Sequence, residues 1–191
     1  MLASMHSSVV LWLVLATGLF WGVGVYNRLM RMRAHGLDAF GSVEKLLRSL
    51  EALVQQHMDA ATHGPVSATD TPDPPDALWP QWLALREHLQ AVESACKAVR
   101  AEPLCPRPLA VLSELHTKIM QDWKALQEAP ADLAGAAVPQ ELQAQWDESG
   151  LRLQMACQAF NQIVERYNAA LHEFPARLIV GVLGFRKAGV L

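Results

Sequence analysis

Charge is scarce in this chain. Asp, Glu, Lys and Arg make up only 18% of its 191 residues, against 51% hydrophobic residues. With a net charge of -3 and no basic stripe beyond the first turns after residue 25, it lacks the electrostatic footprint of a nucleic-acid binder. Cysteines are few and odd in number. Cys96, Cys105 and Cys157 lie in separate segments without metal-ligand spacing, which fits free thiols in a reducing compartment, with a single disulfide as the alternative. Strand periodicity is missing too, and so is any catalytic constellation. The seven histidines, at 6, 35, 57, 63, 88, 116 and 172, fall on different segments, and no H-E-x-x-H motif occurs. Glu87 and His88 are adjacent, so a helix points them to different faces. His116 and Cys157 sit on apolar stripes, where a histidine is expected to be a satisfied core residue and a thiol to pack as a small hydrophobe. Neither an enzyme nor a cofactor is expected from these absences.

The chain is rich instead in one long apolar run. Residues 9–25, VVLWLVLATGLFWGVGV, carry no charge, and with Ser7 and Ser8 they reach the ~20 residues that a helix needs to cross a bilayer core. Neither Lys nor Arg precedes the run and no A-x-A pattern closes it, so an uncleaved anchor is expected rather than a removable signal peptide. Arg28, Arg31 and Arg33 follow it at once, and the positive-inside rule then puts the N-terminus outside and everything after residue 27 in the cytoplasm. Trp12, Trp21 and Tyr26 read as interfacial markers, or, for the two tryptophans, as lipid-facing filler. Gly18 and Gly22 form one GxxxG, a candidate helix-dimer face.

Beyond the run, apolar residues recur at steps of three and four, the period of a helix with one buried stripe. The first helix continues from the span through Leu29, Met32, Gly36, Phe40, Val43, Leu47, Leu50 and Val54, and a Pro-rich linker at 64–76 breaks it. A second stripe follows Pro80: Trp82, Leu85, Leu89, Val92, Cys96 and Val99. The third holds Leu112, His116, Ile119, Trp123 and Leu126. The fourth starts near Pro139 and runs through Trp146, Leu153, Cys157, Phe160, Val164, Tyr167, Leu171 and Phe174. The fold class expected is all-α, an N-terminal transmembrane helix continuing into an antiparallel four-helix bundle with coiled-coil-like stripes. Three segments follow: 1–25 with the span, 26–175 as the bundle, and 176–191 as an apolar, membrane-proximal tail. Up-and-down counting returns the fourth helix to the bilayer surface. The tail is then expected either to lie in the interface, with Arg177, Arg186 and Lys187 at its polar edges, or to fold against the bundle as core.

Two blocks, YNRLMRMRAHGLDAF from Tyr26 and ACQAFNQIVERYNAALHEFPARLIVGVLGF ending at Phe185, resemble the LemA family of single-span bacterial membrane proteins. The resemblance implies an N-out anchor and a cytoplasmic bundle at the bacterial inner membrane. It matches Tyr26 and Asn27 to the family's first Tyr-Asn pair, Phe160 and Asn161 to a Phe/Tyr-Asn pair, Tyr167 and Asn168 to another, and Phe174 and Pro175 to the Phe-Pro before the tail. The chain departs from the family pattern at Phe40 (usually Trp), Cys157 (usually Arg) and Gly150-Leu151 (usually Glu-Asn). A structural role is expected for the tyrosines, each burying its ring and bonding its hydroxyl to an amide on a facing helix. The family implies no settled activity. The function expected is therefore that of an interaction or scaffold module whose partners are the lipid bilayer and another membrane protein or a second copy of itself. The competing reading is an enzyme or metal-binding protein with a site inside the bundle, assembled from residues such as His88, His116 and Glu148.

Overall fold

The computed structural model describes residues 2–63, 78–129, 138–173 and 176–191; the Pro-rich linker 64–76 and the Phe174-Pro175 pair lie outside the described residues. The described chain forms five helices, α1 (Leu2–His63), α2 (Trp79–Ala101), α3 (Pro106–Gln127), α4 (Gln140–His172) and the short α5 (Ala176–Leu183).

No proline interrupts the first 62 helical residues, so α1 runs unbroken for ~93 Å at 1.5 Å per residue. Its surroundings change partway along. Residues 10–20 are exposed on every side, and from residue 10 onward Leu29 is the first residue of α1 to be fully buried. Among the described residues, α1 is the one helix long and apolar enough to cross a membrane, and none of its apolar window is buried. From Leu29 onward the helix behaves as a bundle element. Phe40, Val43, Leu47, Leu50, Val54 and Met58 are buried at steps of three and four, and Met32 is half-buried beside them.

Proline opens each of the other long helices, where its missing N–H costs nothing: Pro80 and Pro106 stand in the first turns of α2 and α3, and Pro139 is the N-cap of α4. The turn between α2 and α3 carries Leu104 at φ +64°, a conformation that a leucine adopts only against steric cost. Its buried side chain fills the notch at Gly36 of α1, where an added Cβ would stand 3.1 Å from Leu104 Cδ2. Burial of the leucine offsets the strain of its backbone.

The helices alternate in direction. At the end nearer the exposed part of α1, Arg28 pairs with Glu173 beyond α4 at 3.4 Å, and the Tyr26 ring meets Phe185 with centroids 5.9 Å apart. At the far end, rings join all four long helices in a row. His57 of α1 lies 4.8 Å from Trp82 of α2, Trp82 meets Trp123 of α3 edge-on at 6.3 Å, and Trp123 stacks on Trp146 of α4 at 4.1 Å. Between these ends α1 packs along α4 and α2, and α2 along α3. The α3 and α4 backbones do not pack against each other. Three seams of the bundle are closed and the fourth is open.

Candidate functional site: the seam between α3 and α4

The open seam is closed at its two ends by different means. Far from α5, the Trp123–Trp146 stack bridges it with rings 12° from parallel. Both indole N–H groups are buried without a hydrogen-bond partner among the described residues, which costs about 1–3 kcal/mol each and marks this bridge as an imperfectly satisfied contact. At the other end, the chain itself enters the seam. After α5, Gly184 at φ +70° turns the backbone, and residues 185–191 run in extended form back up along α4.

Asparagine side chains hold this extended segment. Asn168 Nδ2 donates to the Ala188 carbonyl at 3.0 Å while the Ala188 N–H donates to Asn168 Oδ1 at 2.8 Å. Asn161 repeats the pattern on Leu191, donating at 2.6 Å and accepting at 2.8 Å. The match is geometric: seven helical residues advance ~10.5 Å, and three extended residues cover ~10 Å. A carboxamide, with one donor and one acceptor edge, satisfies both backbone groups of a residue that has no neighbouring strand. The Tyr167 hydroxyl donates to the Arg186 carbonyl at 3.3 Å, and the Gly189 N–H donates to the Leu104 carbonyl at 3.3 Å. Gly189 is required there, because a Cβ would come within 2.8 Å of the Pro106 backbone.

Between the segment and the tryptophan stack lies a slot of about 650 Å³. Val43, Leu47 and Leu50 of α1 form its floor, His116 and Met120 stand on the α3 wall, and Gly150, Leu151, Gln154 and Cys157 stand on the α4 wall. Small residues account for the opening. Gly150 and Cys157 fall on the same stripe as Trp146, Leu153 and Phe160, yet they are half-buried where those three are buried. An added Cβ at Gly150 would meet nothing within 4 Å. Gly150, Leu151 and Cys157 of α4 all line this one slot. Burial pushes the Cys157 thiol above its ordinary pKa and keeps His116 below its own, so neither carries charge readily. Cys96, behind Glu44, is pushed up to about 11 by burial first and by that carboxylate second.

The residues singled out from sequence divide accordingly. Phe160 is buried edge-on against Phe40 with centroids 6.0 Å apart. Tyr167 is buried, and burial raises its hydroxyl pKa against the opposing influence of Arg33. Its hydroxyl reaches a backbone carbonyl of the tail rather than an amide on a facing helix. Asn27 is exposed, with its carbonyl accepting a bond from Arg31 Nε at 3.4 Å. Gly18 lies on the exposed part of α1 with open space about it, and Gly22 lies one turn further along the same helix. His88, His116 and Glu148 are not brought together. His88 Nδ1 lies 2.6 Å from Asp122 Oδ2, Glu148 pairs with Arg152 on the exposed face of α4, and His116 faces the slot. Among the described residues no three His, Cys, Asp or Glu side chains are placed to hold a metal ion. Sequence reading missed Glu44, which is buried and held by Arg48 at 2.6 Å and by Arg100 Nε at 2.7 Å. Its signal was a carboxylate next to stripe residue Val43, with an arginine four residues on.

A family model described as LemA family matches residues 84–191. Comparison with curated proteins and with solved structures gives no match. The matched stretch takes in most of α2 and all of α3, which carry none of the quoted motif pairs, as well as α4, α5 and the clamped segment. It covers more than half of the chain, including Asn161, Asn168 and the backbone that they hold. The chain therefore belongs to the LemA family.

Proposed function

We propose that this protein is a membrane-anchored interaction module of the bacterial inner membrane, with its N-terminus outside and its bundle in the cytoplasm. The observation that carries the reading is the exposed apolar part of α1, continuous with the bundle half of the same helix and covered by none of the described residues. A helix apolar on all sides is stable only in lipid or against another apolar surface. Arg28, Arg31 and Arg33 follow it directly and favour the cytoplasmic side for the bundle. Gly18 and Gly22 give that helix a face on which a second copy could pack. The bundle then presents its open seam to another membrane protein or to a second copy.

Flotation of the full chain with liposomes, alongside a chain lacking residues 1–25, tests the anchor: the full chain should float and the shortened one should not. Reporter fusions after residue 191 and within the 64–76 linker test the orientation, and a periplasmic reporter signal from either would reverse it. Crosslinking with mass spectrometry in native membranes tests the module, and recovery of only abundant, unrelated neighbours would count against it.

A further inference from the structure

We infer that the slot between α3 and α4 binds an extended, uncharged, apolar segment of a partner polypeptide, held through its backbone by side chains of α4. The same seam already shows how it takes such a chain. Asn168 and Asn161 each grip one residue of an extended segment by both backbone groups, seven helical residues apart and three extended residues apart. A seven-residue step drifts only ~20° around a helix, so the series keeps to one face. Continued up α4 by the same step, it reaches Gln154 and then Asp147, and both line the slot. Gln154 offers the same donor and acceptor pair as an asparagine, and Asp147 offers acceptors for a backbone N–H. The occupied half of the seam thus continues into a half that none of the described residues fills, with the same kind of rungs.

The chemistry of the walls selects the occupant. Val43, Leu47 and Leu50 give an apolar floor, and Met120 and Leu151 add exposed apolar surface at the rim. Among the described residues no Lys or Arg lines the slot and Asp147 does, so a carboxylate or phosphate finds no counter-charge from them, whereas the neutral amide groups of a peptide fit the rungs. Peptide capture in the slot deepens the reading of the bundle as an interaction module and rests on it.

The test uses the full chain in detergent and a defined probe, an acetylated and amidated octapeptide repeating the chain's own Ala-Gly-Val-Leu, labelled for fluorescence anisotropy. Binding should saturate below about 1 mM. Gln154→Ala should weaken it at least about fivefold, as expected for one lost backbone clamp. Gly150→Phe should abolish it, since that position is open enough to accept a ring that fills the slot, and replacing a helical glycine does not weaken α4. Met155→Ala, on an exposed part of α4 that does not line the slot, should change nothing. In a second arm the same eight residues are appended after Leu191, where the effective concentration is high, and their amides should be protected from hydrogen exchange. Circular dichroism confirms that each variant keeps its helices. Binding that survives Gly150→Phe unchanged would place the peptide elsewhere and overturn the inference. Absence of both saturation and protection would overturn it equally. Liposome flotation of the same preparations is indifferent to all these variants, so a failed slot and a failed anchor are told apart.

Discussion

At the scale of single residues, two asparagines do what a neighbouring strand would do. Asn168→Ala leaves the N–H and C=O of Ala188 without their partner, at a cost of about 1–3 kcal/mol. The melting temperature should fall by several degrees, and the Ala188 amide should exchange with solvent much faster. Unchanged exchange at Ala188 would mean that something other than the clamp holds the segment. Gly189→Ala should have a similar outcome by another route, because its Cβ meets Pro106 backbone rather than a movable side-chain tip. Titration acts on other residues. Burial lowers the pKa of His57 and His116 below the ordinary 6.5, so the unfolded chain binds protons more readily than the folded one. Their contribution is fully present above the unfolded value and is lost as pH falls through 6.5 and below the folded values. Thermal melts at about pH 7.5 and about pH 5.5 should show a drop that is smaller in the His57→Gln, His116→Gln double variant. An equal drop in both proteins would assign it to other groups. Sequence alone could place Phe160 and Tyr167 on a buried stripe, since burial is periodic. It could not say what the asparagines hold, because their partners are backbone groups 20 and 30 residues away, and every residue has those.

At the scale of elements, the stripes foretold which face of each helix is buried, and α1 pairing with α4 follows from their length. How near two faces come is another matter. It depends on side-chain volume at the contact, and Gly150 and Cys157 leave a slot where larger residues would have closed one. The α1–α2 seam is fixed in a third way, by charge. The Glu44 carboxylate is shielded from water and reached by Arg48 of its own helix and Arg100 of α2. Either arginine alone keeps that carboxylate paired, and both are largely exposed, so Arg48→Ala or Arg100→Ala should cost less than about 1 kcal/mol. Removing both strands a buried carboxylate and should cost about 3 kcal/mol, more than the two single effects together. Denaturant titration of the four proteins measures the excess directly. Additive losses would show that Glu44 does not depend on the two cations jointly.

For the whole molecule, the decisive fact is where burial begins along α1. A helix that helped to hold the bundle together would bury side chains against it along its length, yet residues 10–20 are exposed throughout and the core starts at Leu29. Apart from Val25, which is half-buried against the core, the described part of the apolar segment adds little to the packing of the bundle, and its deletion removes mostly exposed apolar surface. A chain starting at residue 26 keeps the Tyr26–Phe185 ring contact, the Arg28–Glu173 pair and every buried position of α1. It should be soluble without detergent and unfold cooperatively, with a free energy within about 1 kcal/mol of that of the full chain in detergent. A chain starting at residue 41 would lose Leu29, Gly36 and Phe40 together, exposing Leu104 and Phe160, and should not fold cooperatively. If the chain starting at residue 26 instead aggregates or melts without cooperativity, the apolar segment is part of the fold, and the division of α1 into an outer half and a bundle half is wrong. Agreement would mean that the two halves answer to different solvents: one satisfied by its own core, the other requiring an apolar surrounding that none of the described residues supplies.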